Sequence, residues 1–557
     1  MRLKGFIFLL LTIACVSQLS QASPAASQHA VATAHPLATE AAMEILNDGG
    51  NAFDAAVTAT AVLAVVEPYS SGLGGGGFWL LHTSGGQDVM LDGRETSPMA
   101  STANMYLNNK DEVVPGLSIN GPLSAGIPGV PAAMGYLVKN HTNFGLKKLL
   151  KPAIKVAREG FKIDPLYRVL AKFRLKTLAA SPEASKILLQ NDEVPADGFV
   201  LKQLGLAKTL QMLADKGSES FYRGSFAQKM VNEVQRAGGI WALSDLENYQ
   251  VKLREPVEVE VGDLKLVSAA PPSSGGIALA TMLQILAEYE LQKLSRTAQV
   301  HLITEAMRRA YRDRAAYLGD PDYTSVPVER LTSRHYAQGL SASIHPDKAT
   351  KSDHLPGIGF KPGGQDTTHF SILDKYGNYV SATLSINYPF GSGFVVPGTG
   401  ILLNDEMDDF VSKPGSPNAY GLVGNKANAI EPGKRMLSSM SPTFVYQGDR
   451  LAILGTPGGS RIITMVLHSI LEFLQGGSAE SMVLKKRFHH QYLPDQIYFE
   501  EGVFTGDQMK SLQAKGHVLK KSSRAFGNMQ VIVWDQKKNR IEAASDPRGG
   551  GFSLVQR

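Results

Sequence analysis

The 557-residue chain contains one cysteine, Cys15, and the lack of any other thiol excludes several kinds of chemistry. Disulfide frameworks, zinc–cysteine clusters, iron–sulfur centres and cysteine nucleophiles all need thiols that the remainder of the chain does not have. A chain without thiols beyond residue 15 suits an oxidising compartment, in which an unpaired thiol is a liability.

Charge of one sign and long apolar runs are also scarce. The chain has 56 basic and 51 acidic residues, a net charge of +5, and no block of five like charges. This pattern gives no support for binding to nucleic acid. Beyond the N-terminal region, no stretch reaches the roughly 20 apolar residues that span a bilayer. Hydrophobic residues make up 43% of the chain, which is enough for a core in two to four ordinary domains or one large fold.

The short motifs of several hydrolases are missing as well. None of the 13 histidines belongs to an H-E-x-x-H pattern, and no G-x-S-x-G elbow or S-x-x-K set stands out. The glycine run Gly74–Gly77 is not followed by the Gly-Lys-Ser/Thr of a phosphate-binding loop. His489 and His490 are expected to be packed or exposed rather than to bind a metal, since neighbouring side chains point apart. We therefore predict no metal and no cofactor.

The first residues predict a secretory signal peptide over residues 1–22. A positively charged start precedes the apolar run Phe6–Val16, and small residues at 20–22 supply a cleavage site before Ser23. We therefore expect a periplasmic or secreted product without a stable membrane span. An uncleaved anchor is one alternative, and a lipoprotein attached at Cys15 is a weaker one.

Apolar periodicity predicts helices in the first part of the chain. Thr39 is expected to cap a helix that ends at Gly49-Gly50, and residues 52–66 form an almost wholly apolar helix that should be buried. Another long helix is expected to begin after Ser295. Its arginines are assigned to a solvated face; they are Arg308, Arg309, Arg312 and Arg314.

Alternating patterns then predict hairpins in the last third. The paired segments are 368–374 with 378–386, 443–446 with 451–454, and 530–534 with 541–544. A helix over residues 462–473 lies between the last two hairpins. Strand pairs next to long apolar helices predict an α+β fold, in which helices cover antiparallel sheets.

One junction combines a polar linker with a hydroxyl residue at a strand start. Residues 363–366 lead directly into Thr367 and Thr368. A threonine hydroxyl is a poor nucleophile unless a base lies beside it, and cleavage of the chain before the threonine would free an α-amine of pKa about 7.7–8.0 for that purpose. β-Propensity alone also places threonine pairs at strand starts. The junction by itself does not select Thr367 over Thr368.

Four motifs occur in a fixed order after this junction, and they carry a resemblance to a known family. They span residues 367–371, 400–410, 437–443 and 456–461, and further matches lie at 74–77, 91–95, 487–491 and 545–548. Together they closely resemble the γ-glutamyltransferases, or glutathione hydrolases, over nearly the whole chain after the signal peptide. The resemblance implies an N-terminal-nucleophile hydrolase with a four-layer αββα sandwich of two antiparallel sheets between helical layers.

The resemblance also implies self-processing. The cut would fall between Asp366 and Thr367, giving a large subunit of residues 23–366 and a small subunit of residues 367–557 that form a heterodimer. Thr367 would then attack γ-glutamyl amides such as glutathione. The acyl group would pass to water, or to an amino acid or dipeptide.

The substrate-binding residues follow from the same resemblance. A γ-glutamyl group ends in an α-carboxylate, which needs a cation and hydroxyl donors, and an α-ammonium, which needs acceptors. The matching positions are Arg94, Ser438 and Ser439 for the carboxylate, and Asn387, Glu406 and Asp409 for the ammonium. Without the resemblance, the acidic stretch 405–409 fits a solvated loop or a cation site equally well, although its apolar flanks favour a buried position.

The remaining positions concern acyl transfer. Gly458 and Gly459 lie between a strand and a helix, where amides without side chains can point at an oxyanion. A plain strand-to-helix turn is the alternative. Ser385 matches a position that is usually threonine in the family, and its hydroxyl can still bond to the nucleophile. Tyr420 belongs to the segment 412–421, which looks like a lid loop that can close over the substrate.

Two other functions stay open at this point. The first is an acylase for glutaryl or cephalosporin-like amides, whose substrates lack the α-ammonium and would leave Glu406 and Asp409 without a purpose. The second is a secreted binding protein that keeps the fold but has lost processing. One intact set of residues argues against the second: Thr367, Asn387, Asp409, Ser438, Ser439, Gly458 and Gly459.

Overall fold

The computed structural model describes residues 24–354, 367–413, 417–418 and 421–557. The predicted signal peptide 1–22, the predicted cleavage residue Asp366 and the lid residue Tyr420 lie outside the described residues. Across the described ranges, none of the helices combines the length and the apolarity that a bilayer crossing requires.

Two antiparallel sheets form the centre of the molecule, and seven of the described strands belong instead to three small sheets, β4-β5, β11-β12 and β15-β16-β17. The strands are β1 (His29–Thr33), β2 (Gly76–His82), β3 (Asp88–Asp92), β4 (Phe161–Lys162), β5 (Val200–Leu201), β6 (Lys252–Arg254), β7 (Val257–Val261), β8 (Leu264–Ser268), β9 (Thr368–Leu373), β10 (Tyr379–Ser385), β11 (Val395–Val396), β12 (Ile401–Leu402), β13 (Thr443–Gln447), β14 (Arg450–Gly455), β15 (Phe488–His489), β16 (Ile497–Phe499), β17 (Leu519–Lys521), β18 (Gln530–Asp535), β19 (Arg540–Ser545) and β20 (Phe552–Gln556). The seven-stranded sheet has the order β20-β1-β9-β10-β2-β3-β6, and the six-stranded sheet has the order β19-β18-β14-β13-β8-β7.

Helices cover the outer faces of both sheets. The α-helices are α1 (Pro36–Asn47), α2 (Ala52–Val66), α3 (Val130–Asn140), α4 (Leu146–Leu149), α5 (Lys151–Glu159), α6 (Pro165–Ala179), α7 (Pro182–Leu188), α8 (Leu204–Lys216), α9 (Glu219–Tyr222), α10 (Gly224–Arg236), α11 (Leu243–Glu247), α12 (Gly275–Ala287), α13 (Arg296–Tyr317), α14 (Val328–Leu331), α15 (Arg334–Ala342), α16 (Ile462–Leu474), α17 (Ala479–Leu484) and α18 (Gly506–Ala514). Short 3₁₀ turns lie at Pro122–Ser124, Leu291–Lys293, Ser352–His354, Glu406–Asp409, Lys426–Asn428 and Gly459–Arg461.

The packing order of these elements confirms the predicted four-layer α+β sandwich. Helices α1 and α2 pack on strands β1, β9 and β10 of the seven-stranded sheet, and α12, α16 and α17 pack on the six-stranded sheet. The two sheets face each other through β9 and β10 on one side and β14 and β18 on the other. Apolar cores accordingly lie between each sheet and its helices.

Several predicted elements are confirmed. Helix α2 is buried along its whole length, and its N-terminus has a capping box in which Asn51 and Asp54 each accept the other's backbone N–H. The hydroxyl of Ser295 accepts the amide N–H of Ala298 at the start of α13. All three predicted hairpins form with antiparallel register.

The prediction that Thr39 caps the first helix is wrong. Helix α1 begins at Pro36, and His35 is its N-cap, with Nδ1 accepting the amide N–H of Leu37 at 3.2 Å. Proline at the first helical position favours this earlier start because its φ is already helical and it has no amide to satisfy. Thr39 lies inside the helix, where its hydroxyl donates to the carbonyl of Phe552 at 2.8 Å.

The prediction of a solvated arginine face on α13 is wrong for three of the four arginines. Arg308, Arg309 and Arg314 are buried, and only Arg312 is partly exposed. The helix packs between α12 and α18, so its polar side is covered. Glu305 lies between Arg308 and Arg309 and forms ion pairs with both, which is how such charges are tolerated in an interior.

Candidate active site

A small cavity at the edge of the two sheets contains most of the residues that the sequence singled out. Its volume is about 20 Å³. The lining residues are Arg94, Thr367, Ser385, Asn387, Asp409, Leu422, Ser438, Ser439, Met440, Gly459, Ser460 and Ile462. Two other predicted residues lie next to the lining: Glu406 accepts a hydrogen bond from the lining residue Arg94, and Gly458 directly precedes the lining residue Gly459.

Strand geometry separates the two adjacent threonines. Thr367 directly precedes β9, is 5% exposed and lines the cavity. Thr368 is fully buried, and its hydroxyl donates to Oε2 of Glu67 at 2.5 Å. Consecutive side chains of an extended chain point to opposite faces. Of the two threonines, Thr367 is therefore the one on the cavity side.

The partner of Thr368 is a buried acid that the sequence analysis missed. Glu67 follows α2, and Tyr69 donates a second hydrogen bond to it at 3.3 Å. Burial raises the pKa of Glu67 to about 7. Nothing in the local pattern distinguishes this glutamate from an exposed one, because its burial depends on β9 lying over it.

A polar contact below Thr367 links the two strands of the first hairpin. His369 lies two residues after Thr367, and its Nδ1 is 2.8 Å from the hydroxyl of Thr383 on β10. Burial lowers the pKa of His369 to about 3, so the ring is neutral. Ser385, two residues beyond Thr383, accepts the amide N–H of Asn387 at 2.7 Å.

Arg94 is held by the two acids that the sequence analysis assigned to the substrate ammonium. Its Nη1 donates to Glu406 Oε2 at 2.6 Å and its Nη2 donates to Asp409 Oδ2 at 2.5 Å. The Nε of Arg94 donates to the carbonyl of Met436 at 3.2 Å. The expected carboxylate-binding cation and the expected ammonium-binding acids therefore form one ion cluster.

Burial raises the pKa values of all three acids in this cluster. Burial raises the pKa of Glu406 to about 7 against the opposing effect of Arg94, and burial also raises the pKa of Asp409. Although burial opposes its charge, the three surrounding carboxylates raise the pKa of Arg94. Glu95 is 3.7 Å from Arg94, and burial raises its pKa well above the ordinary value.

The two serines lie on a loop that neighbouring segments hold firmly. The amide of Ser438 donates to the carbonyl of Pro272 at 2.8 Å, and the Ser274 hydroxyl donates to the carbonyl of Ser438 at 2.7 Å. Within the described ranges, the buried hydroxyl of Ser439 has no hydrogen-bond partner. It is therefore a free polar group in the wall of the cavity.

Arg314 supports this loop from behind and is a second residue that the sequence analysis missed. Its Nε donates to the hydroxyl of Ser274 at 3.0 Å. Burial lowers the pKa of Arg314 to about 10. The positive charge of Arg314 opposes the rise that burial causes in the pKa of Asp409. The helical pattern of α13 gave no signal for this role, because burial on that face comes from other segments.

The glycine pair has the backbone geometry of a sharp turn into a helix. Gly458 has φ +140° and Gly459 has φ +55°, both in the region that favours glycine. A 3₁₀ turn from Gly459 continues into α16. No acceptor in the described part of the chain takes a hydrogen bond from either amide. Both amides are therefore available at the start of a helix, where an anion is favoured.

Other predicted residues are either packed or not described. His489 and His490 are buried; Nδ1 of His489 is 2.9 Å from the Thr464 hydroxyl, and Nε2 of His490 is 3.1 Å from Asp495. Of the two roles that the sequence left open for them, packed or exposed, the structure shows the packed one. From the predicted lid, Asn418 donates to Oδ1 of Asp409 at 3.0 Å.

One cluster elsewhere has the residue types of a metal site, namely His301, Glu305 and His517. The two guanidiniums of Arg308 and Arg309 already neutralise Glu305. His301 uses one ring nitrogen on the carbonyl of His345 and the other on His517, each at 2.8 Å. The cluster fits a hydrogen-bonded core better than a cation site.

Comparison with known proteins gives a consistent family match. The family model described as gamma-glutamyltranspeptidase matches residues 38–555. A glutathione hydrolase proenzyme of Pseudomonas aeruginosa is 42% identical over 546 residues, covering 94% of this chain and 94% of that protein. The glutathione hydrolase proenzyme of Escherichia coli is 38% identical, covering 94% of this chain and 91% of that protein.

Solved structures share the fold. The cephalosporin acylase of Bacillus halodurans has a TM-score of 0.83 and 28% identity, covering 99% of both chains. A chain of the gamma-glutamyltranspeptidase of Helicobacter pylori has a TM-score of 0.57 and 37% identity, covering 58% of this chain and 93% of that chain.

Proposed function

The chain belongs to the gamma-glutamyltranspeptidase family and is an enzyme of the glutathione hydrolase type, and from this premise we propose how its site works. The enzyme cleaves the γ-glutamyl amide bond of glutathione and related compounds through an acyl-enzyme on Thr367. The acyl group then passes to water, or to an amino acid or dipeptide. The observation that carries the proposal is the cavity in which Thr367 meets Arg94, Asp409, Ser439 and Gly459.

The first chemical event is cleavage of the chain itself. The Thr367 hydroxyl attacks the carbonyl carbon of Asp366, the peptide bond breaks, and an ester joins Asp366 to the threonine oxygen. Water then opens the ester, which leaves a carboxylate on Asp366 and a free α-amine on Thr367. The position of Thr367 at a rigid strand start and the engagement of Thr368 by Glu67 support this assignment.

Substrate cleavage uses the new chain end. The α-amine of Thr367 takes the hydroxyl proton while the oxygen attacks the γ-carbonyl. The backbone amide N–H groups of Gly458 and Gly459 donate hydrogen bonds that stabilise the oxyanion. The amide bond breaks, its nitrogen takes up a proton, and the γ-glutamyl ester remains on Thr367. Water or an acceptor amine attacks this ester and restores the threonine. The availability of both glycine amides supports their role.

When the α-amino acid end of the substrate binds, its charged groups replace the ion pairs that Arg94 makes with Glu406 and Asp409. The substrate ammonium takes Glu406 and Asp409, with Asn387 as a further acceptor, and the substrate carboxylate takes the guanidinium of Arg94. Ser438 and Ser439 complete the carboxylate site. A zwitterion can replace an internal ion pair without leaving a buried charge unpaired. The hydroxyl of Ser439, which has no hydrogen-bond partner in the described part of the chain, supports this placement.

The two products of self-cleavage stay together as a heterodimer in this proposal. Strand β1 of the large subunit lies between β20 and β9 of the small subunit, and β8 pairs with β13 across the same division. We also propose a periplasmic or secreted location, for which the N-terminal sequence pattern is the support.

A glutaryl or cephalosporin acylase is the second candidate, favoured by the similarity to the Bacillus halodurans enzyme. Glutaryl groups lack the ammonium, so Glu406 and Asp409 would have no partner in the substrate. Rates with γ-glutamyl and glutaryl anilides separate the two candidates. We expect the glutaryl anilide to be cleaved roughly 100-fold more slowly, because it cannot form the hydrogen bonds between the ammonium and the charged acids. Equal or faster glutaryl cleavage would overturn the γ-glutamyl assignment.

A further inference from the structure

A second, larger cavity lies in the outer helical layer behind the six-stranded sheet. Its volume is about 290 Å³, close to the lower end of the roughly 300–1,000 Å³ that small-molecule sites occupy. It shares no lining residue with the cavity at Thr367. Aliphatic residues make up half of its eighteen lining residues, among them Leu264, Leu283, Leu286, Ile303, Leu471 and Leu474.

Four elements build this cavity. Helix α12 and the first two turns of α13 form one side, the C-terminal half of α16 forms another, and the hairpin of β7 and β8 closes one end. Leu471 and Leu474 are only partly buried, although they pack against the main core. The wall is thus apolar surface that the protein's own side chains leave incompletely covered.

A half-buried cation of the cavity, Arg296, has no counter-ion among the described residues. Arg296, the first residue of α13, is half-buried, and burial lowers its pKa. Across the described ranges, no carboxylate lies within ion-pair distance of its guanidinium and no acceptor takes a hydrogen bond from it. An unpaired cation in such surroundings is unfavourable, and an anion placed beside it removes that cost.

The other charged groups at the cavity are paired or exposed to solvent. Lys485 forms an ion pair with Glu472. Glu290 forms an ion pair with Lys293 at 2.6 Å on the exposed rim, and Asp263 accepts a hydrogen bond from Gln447 at 3.1 Å. Burial lowers the pKa of His468, a further lining residue, to about 3, so it is neutral. Asp263 is exposed, so Arg296 is the half-buried charged group of the cavity that has no counter-ion among the described residues.

We propose that this cavity binds a small amphiphilic carboxylate of the medium-chain alkanoate type. The alkyl chain packs against the leucines and Ile303, and the carboxylate pairs with the guanidinium of Arg296. The branched aliphatic wall favours a flexible chain, and a guanidinium without a counter-ion in the described part of the chain favours an anionic head group. The site is separate from the Thr367 cavity and its existence does not depend on the proposed reaction.

Titration calorimetry of the purified enzyme with octanoate tests the proposal, with 1-octanol and octylamine as probes of equal chain length. We expect one octanoate to bind per enzyme molecule, and to bind at least tenfold more tightly than either probe. Saturating L-glutamate should leave octanoate binding unchanged. Absence of octanoate binding, equal binding of octylamine, or competition by glutamate would overturn the proposal.

Two variants locate the bound molecule. Arg296→Met keeps most of the side-chain volume, removes the charge, and should weaken octanoate binding at least tenfold. Leu471→Trp places a larger ring on the cavity wall and should abolish binding. Arg236→Met, at an exposed arginine of α10 that pairs with Glu233, is the matched control and should bind normally. Both cavity variants should retain γ-glutamyl anilide turnover, which checks their folding. Unchanged octanoate affinity in either cavity variant would overturn the site.

Discussion

At the scale of single residues, the neighbouring threonines show how strand geometry divides two identical side chains. Thr367 lines the cavity, and Thr368 donates to the buried Glu67 on the opposite face. The two differ in neither chemistry nor local sequence. Their difference arises because an extended chain alternates its side chains and only one face of β9 meets the cavity.

Asp409 is the residue that we expect to distinguish γ-glutamyl from glutaryl substrates. Replacing it by asparagine removes the negative charge that the substrate ammonium requires. Asp409→Asn should lower kcat/KM for a γ-glutamyl anilide roughly 10- to 100-fold, because the substrate ammonium loses one hydrogen bond to a charged acceptor. Turnover of a glutaryl anilide should stay the same or rise. Steady-state kinetics with both substrates measures the two effects.

The adjacent Asp408 supplies a matched control. It is buried and accepts a hydrogen bond from Ser118 at 2.6 Å, but it does not line the cavity. Asp408→Asn should leave the ratio of the two substrates unchanged. An equal fall for both substrates in Asp409→Asn would show that the residue supports the fold of the site rather than the ammonium.

Glu67 should make stability depend on pH. Its pKa in the folded protein is about 7, against an ordinary value of 4.5. The folded state therefore holds this proton more tightly than the unfolded state, and stability falls as pH rises from 4.5 to 7. The loss from this group is about 3 kcal/mol, since one pKa unit corresponds to about 1.4 kcal/mol.

The variant Glu67→Gln isolates this effect. It cannot ionise, so its stability relative to the wild type should rise by about 3 kcal/mol between pH 4.5 and pH 8. Urea unfolding of both proteins at several pH values measures the difference, and the other titrating groups cancel. A stability difference between the two proteins that does not change with pH would mean that folding does not raise the pKa of Glu67.

Sequence motifs located most of the site residues, but not the contacts among them. Arg94, Asp409, Ser439 and Gly459 line one cavity although they are far apart in the chain. The ion cluster of Arg94 with Glu406 was not predicted, because the motif pattern assigns each residue to the substrate and says nothing of pairing between them.

At the scale of secondary structure, period-2 and period-3.6 patterns predicted elements whose burial is one-sided or complete. The hairpin of β9 and β10 and the apolar helices α2 and α16 were found in this way. The pattern failed for α13, whose arginines look solvent-exposed by composition. Their burial depends on segments that cross the helix from elsewhere in the chain, and local periodicity does not contain that information.

Gly455 is a point where two elements approach too closely for a side chain. It ends β14, and a Cβ there would lie 2.2 Å from Cε1 of His369 on β9. Gly455→Ala should therefore push the two sheets apart below Thr367. We expect a loss of about 1–3 kcal/mol in the free energy of unfolding, as for other overpacked cores, together with lower γ-glutamyl turnover.

Gly339 in α15 is the control for this substitution. It is exposed, and a Cβ there would meet nothing within 4 Å. Gly339→Ala should be neutral or stabilising by about 0.4–1 kcal/mol, because it restricts the unfolded chain. Thermal unfolding of both variants measures the contrast. Equal stability of Gly455→Ala and wild type would show that the ring of His369 can move aside at no cost.

At the scale of the whole molecule, the two predicted subunits share both sheets. The strand order β20-β1-β9 alternates between them, and β10-β2 and β13-β8 join them again. The order of strands could not be predicted from periodicity, which finds strands but not their neighbours. The family resemblance predicted the four-layer sandwich, and only the structure shows that each of the two large sheets contains strands of both predicted subunits.

This interleaving predicts that cleavage does not release the fragments. The processed protein should elute as one species containing both polypeptides, in low salt and in 1 M NaCl, because strand pairing and apolar packing hold it together. The fragments should separate only when the protein unfolds in denaturant. Size-exclusion chromatography followed by denaturing gel electrophoresis tests this. Separation in salt alone would contradict the shared sheets.

The central claim is that Thr367 becomes a chain end and supplies both the attacking oxygen and the amine that takes its proton. The direct measurement is the N-terminal sequence and intact mass of the smaller polypeptide in a preparation whose turnover has been measured, with Thr367→Ala beside it. The account predicts a fragment that begins at Thr367 in the active enzyme, and a single uncut, inactive chain in the variant. Full activity in molecules whose bond between residues 366 and 367 is intact, or a fragment that begins at Thr368, would contradict it.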